Sequence, residues 1–234
     1  MLTGRRLAQA VVAVCLTVVT IAACDGDGNP APQAPAITAA AVQAGLLQAK
    51  DVGKTWTTPE ATPPPSTLPN LCAGDGPRPA VPGSPTAATG SLVDEGDAGA
   101  QTLDQIGLVY ADAKAATAAR DSLQATARAC APTATHSPAA TTANPEAGYS
   151  ETFTSRPLVS GAWSGFAIIR HKVYEKSSPG TADTAVAVLS SRNAVLVTCY
   201  AVYRVEQPST APDFSSDWQR LVGAFISRVD AHAK

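Results

Sequence analysis

Ala194-Val195-Leu196-Val197-Thr198-Cys199-Tyr200-Ala201-Val202-Tyr203-Arg204-Val205 is the stretch that decides the fold. It is rich in β-branched and aromatic residues, and Val195, Val197, Cys199, Ala201, Tyr203 and Val205 fall on one face of an extended chain. Thr184–Ser190 just upstream has the same character, and Ser191-Arg192-Asn193 between them reads as a hairpin turn. A turn that short makes the two strands antiparallel. Further upstream, Ala162–Glu175 and Tyr149–Arg156 read as additional strands. Residues 101–110 read as another, with Thr102, Asp104, Ile106, Leu108 and Tyr110 on one face and Leu103 and Val109 on the other.

Helical periodicity appears in three places. Ala36–Gln48 carries the stripe Ala41, Val42, Leu46 and Leu47 with Thr38 as a cap; Gly53 ends the segment and Trp56 follows as a core anchor. Ala113–Cys130 is capped by Asp112 and repeats Ala116, Ala119, Leu123, Ala127 and Cys130. Beyond Pro208 and Pro212 a last helix buries Phe214, Trp218, Leu221, Val222, Phe225 and Val229, with Thr210 and Asp213 as capping candidates. Strands bracketed by helices predict an α+β fold: an antiparallel sheet with helices packed on one face, a single exported domain over residues 37–233. Two proline-rich stretches, 57–90 and 131–148, are expected as loops, because proline removes a donor and excludes helix and central strand.

The N-terminus has secretory grammar. Arg5 and Arg6 precede the uncharged run Ala10–Ala23, too short for the roughly 20 residues that a spanning helix needs. Ile21-Ala22-Ala23-Cys24 reads as a lipobox, so residues 1–23 are expected to be a lipoprotein signal peptide. Cys24 is then the lipidated residue, and 24–36 are a flexible tether on the extracytoplasmic face of the bacterial cell membrane. Asp25-Gly26-Asp27-Gly28-Asn29-Pro30 lacks the alternating ligands and closing Glu of a calcium loop. The formal net charge is −2, and removing Arg5 and Arg6 makes the mature part more acidic. With no basic patch, nucleic acid is not an expected partner.

Cys15 leaves with the signal, so Cys72, Cys130 and Cys199 remain for an oxidising compartment. Three pairings are possible. Cys72–Cys130 is favoured, since one lies in a loop that needs fixing and the other ends a helix. Closing that loop would stabilise the fold by about 4 kcal/mol in the chain-entropy model. Cys199 then reads as a reactive thiol or intermolecular bridge or, the favoured reading, as a small buried apolar residue on a core-facing strand. His136, His171 and His232 are scattered and there is no Cys-x-x-Cys, so neither metal nor cofactor is expected. No catalytic residue is expected either. Ser164 in Gly161-Ala162-Trp163-Ser164-Gly165 misses the nucleophile-elbow spacing, His171 lies between Arg170 and Lys172, and Asp94, Glu95 and Asp97 read as a solvated acidic loop.

Three further pieces carry a resemblance. They are Gly45-Leu46-Leu47 running into Asp51-Val52-Gly53-Lys54-Thr55-Trp56; Leu103-Asp104-Gln105 leading to Tyr110-Ala111-Asp112-Ala113 and an Ala-rich helix ending at Ala129-Cys130; and Arg192-Asn193-Ala194-Val195-Leu196-Val197 before the last helix. Together they resemble the sensor-type extracellular domain of actinobacterial receptor kinases (the PknH-like domain) and of free-standing lipoproteins from the same bacteria, over about residues 37–233. The resemblance implies an α+β domain with a cleft for an unidentified ligand, stapled by disulfides. This sequence carries no kinase segment and only three cysteines after the lipid cysteine, which puts a second disulfide in doubt. The expected function is a membrane-anchored, non-enzymatic ligand-binding or sensing module whose partner is a small ligand. The alternatives are an accessory subunit docking an envelope protein, and a hydrolase whose site is assembled from distant residues. Phe166, Ile168 and Tyr174 alternate with Trp163, Ile169 and Val173 and are expected to form a ligand groove on the face opposite the last helix, rimmed by the proline-rich loops. The competing expectation is that residues 57–90 fold over that face as a passive cover.

Overall fold

The structure, a computed structural model, describes residues 34–59, 67–74, 78–96, 99–137, 147–175, 180–204 and 214–234. The signal peptide, Cys24, most of the tether, Asp97, Thr210 and Asp213 lie outside them. Seven strands run β1 (Thr86–Gly96), β2 (Gly99–Val109), β3 (Thr133–His136), β4 (Tyr149–Ser160), β5 (Trp163–Tyr174), β6 (Thr181–Ser191) and β7 (Ala194–Arg204). The helices are α1 (Ala39–Gly45), α2 (Ala49–Val52), α3 (Ala113–Arg128) and α4 (Phe214–His232). One antiparallel sheet of order β1-β2-β7-β6-β5-β4-β3 forms the frame of an α+β domain.

The expected β6–β7 hairpin forms, but Ser191 pairs with Ala194, so the turn is only Arg192 and Asn193. Arg192 takes a φ of 50°, a left-handed value that side chains adopt reluctantly. Its guanidinium donates to the carbonyls of Pro35 and Ala233 and to Asp230, which also accepts from the Trp163 indole. Asn193 is buried and fully used: its Oδ1 accepts from the Ile37 amide at 2.7 Å, while its Nδ2 donates to the carbonyls of Ile37 and Tyr110. Each buried polar atom so paired avoids a desolvation cost of about 1–3 kcal/mol. The Arg192-Asn193 pair is therefore a latch joining the N-terminal segment, the end of β2 and the last helix.

The same holds for two other pieces of the resemblance. Gln105 is buried in β2, accepts from the Leu47 amide at 2.8 Å and donates to the Leu47 carbonyl at 3.1 Å. That pair ties the α1–α2 junction to the sheet. Close approach of α1 also requires Gly107, where a Cβ would overlap Val42.

Thr38 and Asp112 cap α1 and α3 as expected, accepting from the amides of Ala41 and Ala115. The helix expected over Ala36–Gln48 is shorter, because Leu46 leaves helical geometry before α2 begins. β3 falls inside one expected loop, and β1 begins inside the other. β1 starts at Thr86, right after Pro85, and needs no central position because it lies on the sheet edge. β3 pairs only with the first residues of β4 at the other edge. β4 runs through Pro157, tolerated because among the described residues the strand has no backbone partner on that side beyond Phe153, whose amide donates to the Pro132 carbonyl.

The two sheet faces build two cores. On the first, α1 and α4 cover Leu103, Trp163, Ala187, Leu196 and Tyr200, with Trp218, Phe225 and Val229 supplied by α4. On the second, α3 packs Ala116, Ala119, Leu123 and Ala127 against Ile106, Leu108, Val186, Val188, Val195 and Val197. The expectation of helices on one face holds for α1 and α4, and α3 departs from it. Its alanine-lined stripe lets it lie close to a valine-rich surface, which alternation places opposite α4. Cys72 and Cys130 form the expected disulfide, at a sequence separation of 58. Among the described residues no helix is long and apolar enough to cross a membrane.

Candidate functional site: a polar cavity on the second sheet face

The residues expected as a ligand groove are not one. Phe166 and Ile168 are fully buried in the second core, beneath α3 and the chain around Leu68 and Leu71. Large apolar side chains at alternate positions mark a covered face, and this part of it is covered. Tyr174 sits at the far end of β5, edge-on to Tyr149, which Lys172 also caps at 3.7 Å. The competing expectation, a cover from residues 57–90, is met here by Leu68 and Leu71.

The same face opens two residues further along the strands. In register, Ile106, Val197, Val188 and Phe166 form an apolar row across β2, β7, β6 and β5. The next row reads Asp104, Cys199, Val186 and Ile168. The one after reads Thr102, Ala201, Thr184 and Arg170. Along β2, β7 and β6 the face ends in the small or polar Thr102, Ala201 and Thr184, β5 ends in Arg170, and a cavity of about 520 Å³ lies over the small ones. Thr102, Asp104, Thr184, Cys199 and Ala201 line its floor, Thr89 and Ser91 its β1 side, and Tyr203, which is 42% exposed, its rim.

Its roof comes from the proline-rich stretch, through Thr58, Pro59, Thr67, Pro69, Asn70 and Arg78. That roof is fastened at several points. The Leu68 amide donates to the Pro79 carbonyl at 2.8 Å, and Leu68 and Leu71 plug the second core. Asn70 brackets the turn, its Oδ1 accepting from the Cys72 amide and its Nδ2 donating to the Gly74 carbonyl. The disulfide joins Cys72 to the end of α3. Finally, Arg170 donates to the Cys72 carbonyl at 3.0 Å, and the buried Glu151 accepts from the Gly74 amide at 2.6 Å.

Electrostatics sort the cavity's charged groups. Arg170 Nε lies 3.6 Å from Glu151, too far for a hydrogen bond, and is buried with no such partner among the described residues. Glu151 nonetheless supplies its counter-charge. Asp104 is exposed and receives the Ser91 hydroxyl on Oδ1 at 2.7 Å. Desolvation first, and then the Asp104 carboxylate, push the Cys199 thiol up to about 12; Arg170 and Arg78 act in the opposite direction. Cys199 is half-buried, and with its thiol pushed up in this way it is neutral at physiological pH and a weak nucleophile.

The residues considered for catalysis stay apart. Ser164 and His171 lie on opposite faces of β5, where His171 Nδ1 is 2.6 Å from Asp183 and Ser164 is near Arg120. Asp94 is buried and receives the Thr55 hydroxyl at 2.9 Å, a structural role. Among the described residues no three His, Cys, Asp or Glu side chains gather as metal ligands. The missed floor residues had a signal: on four strands, the large residues of one face give way to Thr, Cys, Ala, Asp or Arg at matching registers. Only the register reveals that the four changes coincide.

No protein-family model matches the chain, and no curated protein matches it. Among solved structures, the chain has a weak structural relation to the crystal structure of the extracellular domain of PknH from Mycobacterium tuberculosis, with a TM-score of 0.40 and 15% sequence identity over 61% of this chain and 64% of that one.

Proposed function

We propose that this chain is a membrane-anchored, non-enzymatic envelope lipoprotein that binds a small ligand in the cavity of the second sheet face. The observation that carries the reading is the cavity itself. Its volume of about 520 Å³ falls in the range of small-molecule sites, its floor is rigid sheet, and its roof is fastened by a disulfide, the half-buried Arg170 and the buried Glu151. Hydroxyl, amide and charged side chains converge on this open-mouthed volume, and a ligand with polar groups would pair with them. Anchoring rests on Ile21-Ala22-Ala23-Cys24 in the sequence.

An accessory docking role gains less support. The exposed large hydrophobic residues, Val159, Val173 and Tyr203, sit at separate places and form no common patch among the described residues.

Both parts of the proposal are testable. Cys24→Ala should move the protein from the membrane to the soluble fraction; unchanged fractionation removes the anchor. Native mass spectrometry of protein extracted from its own membranes should show a small-molecule adduct that Ala201→Trp, which fills the cavity, abolishes. An adduct that persists in Ala201→Trp, or none in the wild type, removes the binding site.

A further inference from the structure

We infer that the ligand is an uncharged saccharide of one to a few sugar units. This rests on the reading of the cavity as a binding site.

The charges leave little room for an ionic ligand. Arg170 is already balanced by Glu151 at 3.6 Å, and it spends a guanidinium proton on the Cys72 carbonyl, so it is part of the wall. The remaining charges are one of each sign: Asp104, whose Oδ2 receives no hydrogen bond from a described residue, and the exposed Arg78, which makes no hydrogen bond or ion pair with one. A phosphate or a polycarboxylate would meet Asp104, and an amine would meet Arg78. Neither sign is favoured overall.

The uncharged surroundings point the same way. Thr67, Thr89, Thr102 and Thr184 place hydroxyls on floor and roof, each able to donate and accept. On the floor Thr102 and Thr184 stand on β2 and β6 with Ala201 of β7 between them, so these two hydroxyl-bearing positions lie about 9.6 Å apart across the sheet. Among the described lining residues Ile106 is the only large aliphatic one, which disfavours a lipid tail. A sugar presents many hydroxyls that donate and accept, no charge, and an apolar ring face. Asp104 and Arg78 offer the planar forks that take adjacent hydroxyls two at a time. Tyr203, at the rim, offers an aromatic surface for the ring face.

The test uses the mature chain extracted from membranes. It is applied to an array of neutral, uronic, sulfated and amino-sugar glycans. In parallel, Cys199 alkylation by iodoacetamide is followed by peptide mapping with maltose, N-acetylglucosamine, inorganic phosphate or glycylglutamate present. Neutral glycans should be retained and should slow alkylation. Asp104→Asn and Tyr203→Ala should each weaken retention by roughly tenfold or more, the loss of one charge-assisted bond or one stacking surface, while the unfolding midpoint stays at the wild-type value. Lack of neutral-glycan retention, or retention unchanged in both variants, overturns the inference. Protection of Cys199 by phosphate or the dipeptide alone overturns the saccharide and leaves the binding site standing. If none of the four probes protects Cys199 and no glycan is retained, the saccharide falls, and the adduct experiment above decides the site separately.

Discussion

The second sheet face is two surfaces made from the same strands. Under α3 it presents Ile106, Val197, Val188 and Phe166, which pack like any core. Two registers along it presents Thr102, Ala201, Thr184 and Arg170 and is roofed by the proline-rich chain with a cavity between. Backbone, twist and hydrogen bonding are shared, so the difference lies in side-chain volume and polarity alone. Where the floor is large and apolar, an alanine-striped helix descends onto it. Where it is small and polar, the cover stands off. A cavity can thus be made on a sheet by shortening side chains at matching registers, with no change of fold.

The largest effect should come from the apolar half. Phe166→Ala should cost about 3–5 kcal/mol, read from urea unfolding, because a sealed core cannot collapse around the lost ring. Thr184→Ala, on the neighbouring strand four residues further along the face, should cost less than about 1 kcal/mol. Equal losses at both would dissolve the distinction between the halves.

Next comes the fastening of the roof. Replacing Cys72 and Cys130 together by Ser should lower stability by about 2–4 kcal/mol, and limited proteolysis should then cut within residues 57–80 before it cuts the sheet. A variant as stable and as protease-resistant as the wild type would show that the disulfide does not hold the roof.

Gln105→Leu probes the joint between α1 and the sheet. It strands the Leu47 amide and carbonyl in a buried place and should cost about 1–3 kcal/mol. The polar half should keep its ligand, since this bond lies on the first face; loss of the ligand at full stability would link the two faces.

The smallest effect is chemical. Burial first, and then Asp104, push the Cys199 thiol up to about 12. Below that pH it stays protonated, so alkylation should be slow at pH 7 and remain slow at pH 9, where an ordinary cysteine is mostly thiolate. Asp104→Asn removes the carboxylate and should shift the onset to lower pH. The raised value also implies stability that is present below about pH 9 and lost as the pH climbs toward 12.

Much of this was legible in the sequence, and the gaps have physical causes. Alternation in Ala194–Arg204 and helical spacing in Phe214–His232 identify the sheet and its main covering helix, because both bury one face of a regular element. The disulfide was legible from its loop and helix-end context. β1 was hidden behind Pro85, and β3 is a short edge strand that owes its existence to β4. The sequence pattern points to Phe166 and Ile168 as a groove, and both are buried in the second core, while the cavity lies further along the same face. Phe166 and Ile168 advertise a face that must be covered, whereas the cavity depends on Thr102, Thr184, Cys199 and Ala201, which look unremarkable one at a time. Their coincidence is a property of register, set by hairpin turns and not by any local pattern. The pieces behind the family resemblance turned out to be joints: Gln105 on Leu47, and Arg192-Asn193 on both termini.

The central claim is that the polar half of the second face holds a small molecule. The most direct measurement is a crystal structure of the protein extracted, without denaturation, from its own membranes. The account predicts bounded electron density over Cys199 and Ala201, within hydrogen-bonding distance of Asp104 and under Arg78. A cavity filled by the protein's own side chains, or one holding only disordered solvent, would contradict it.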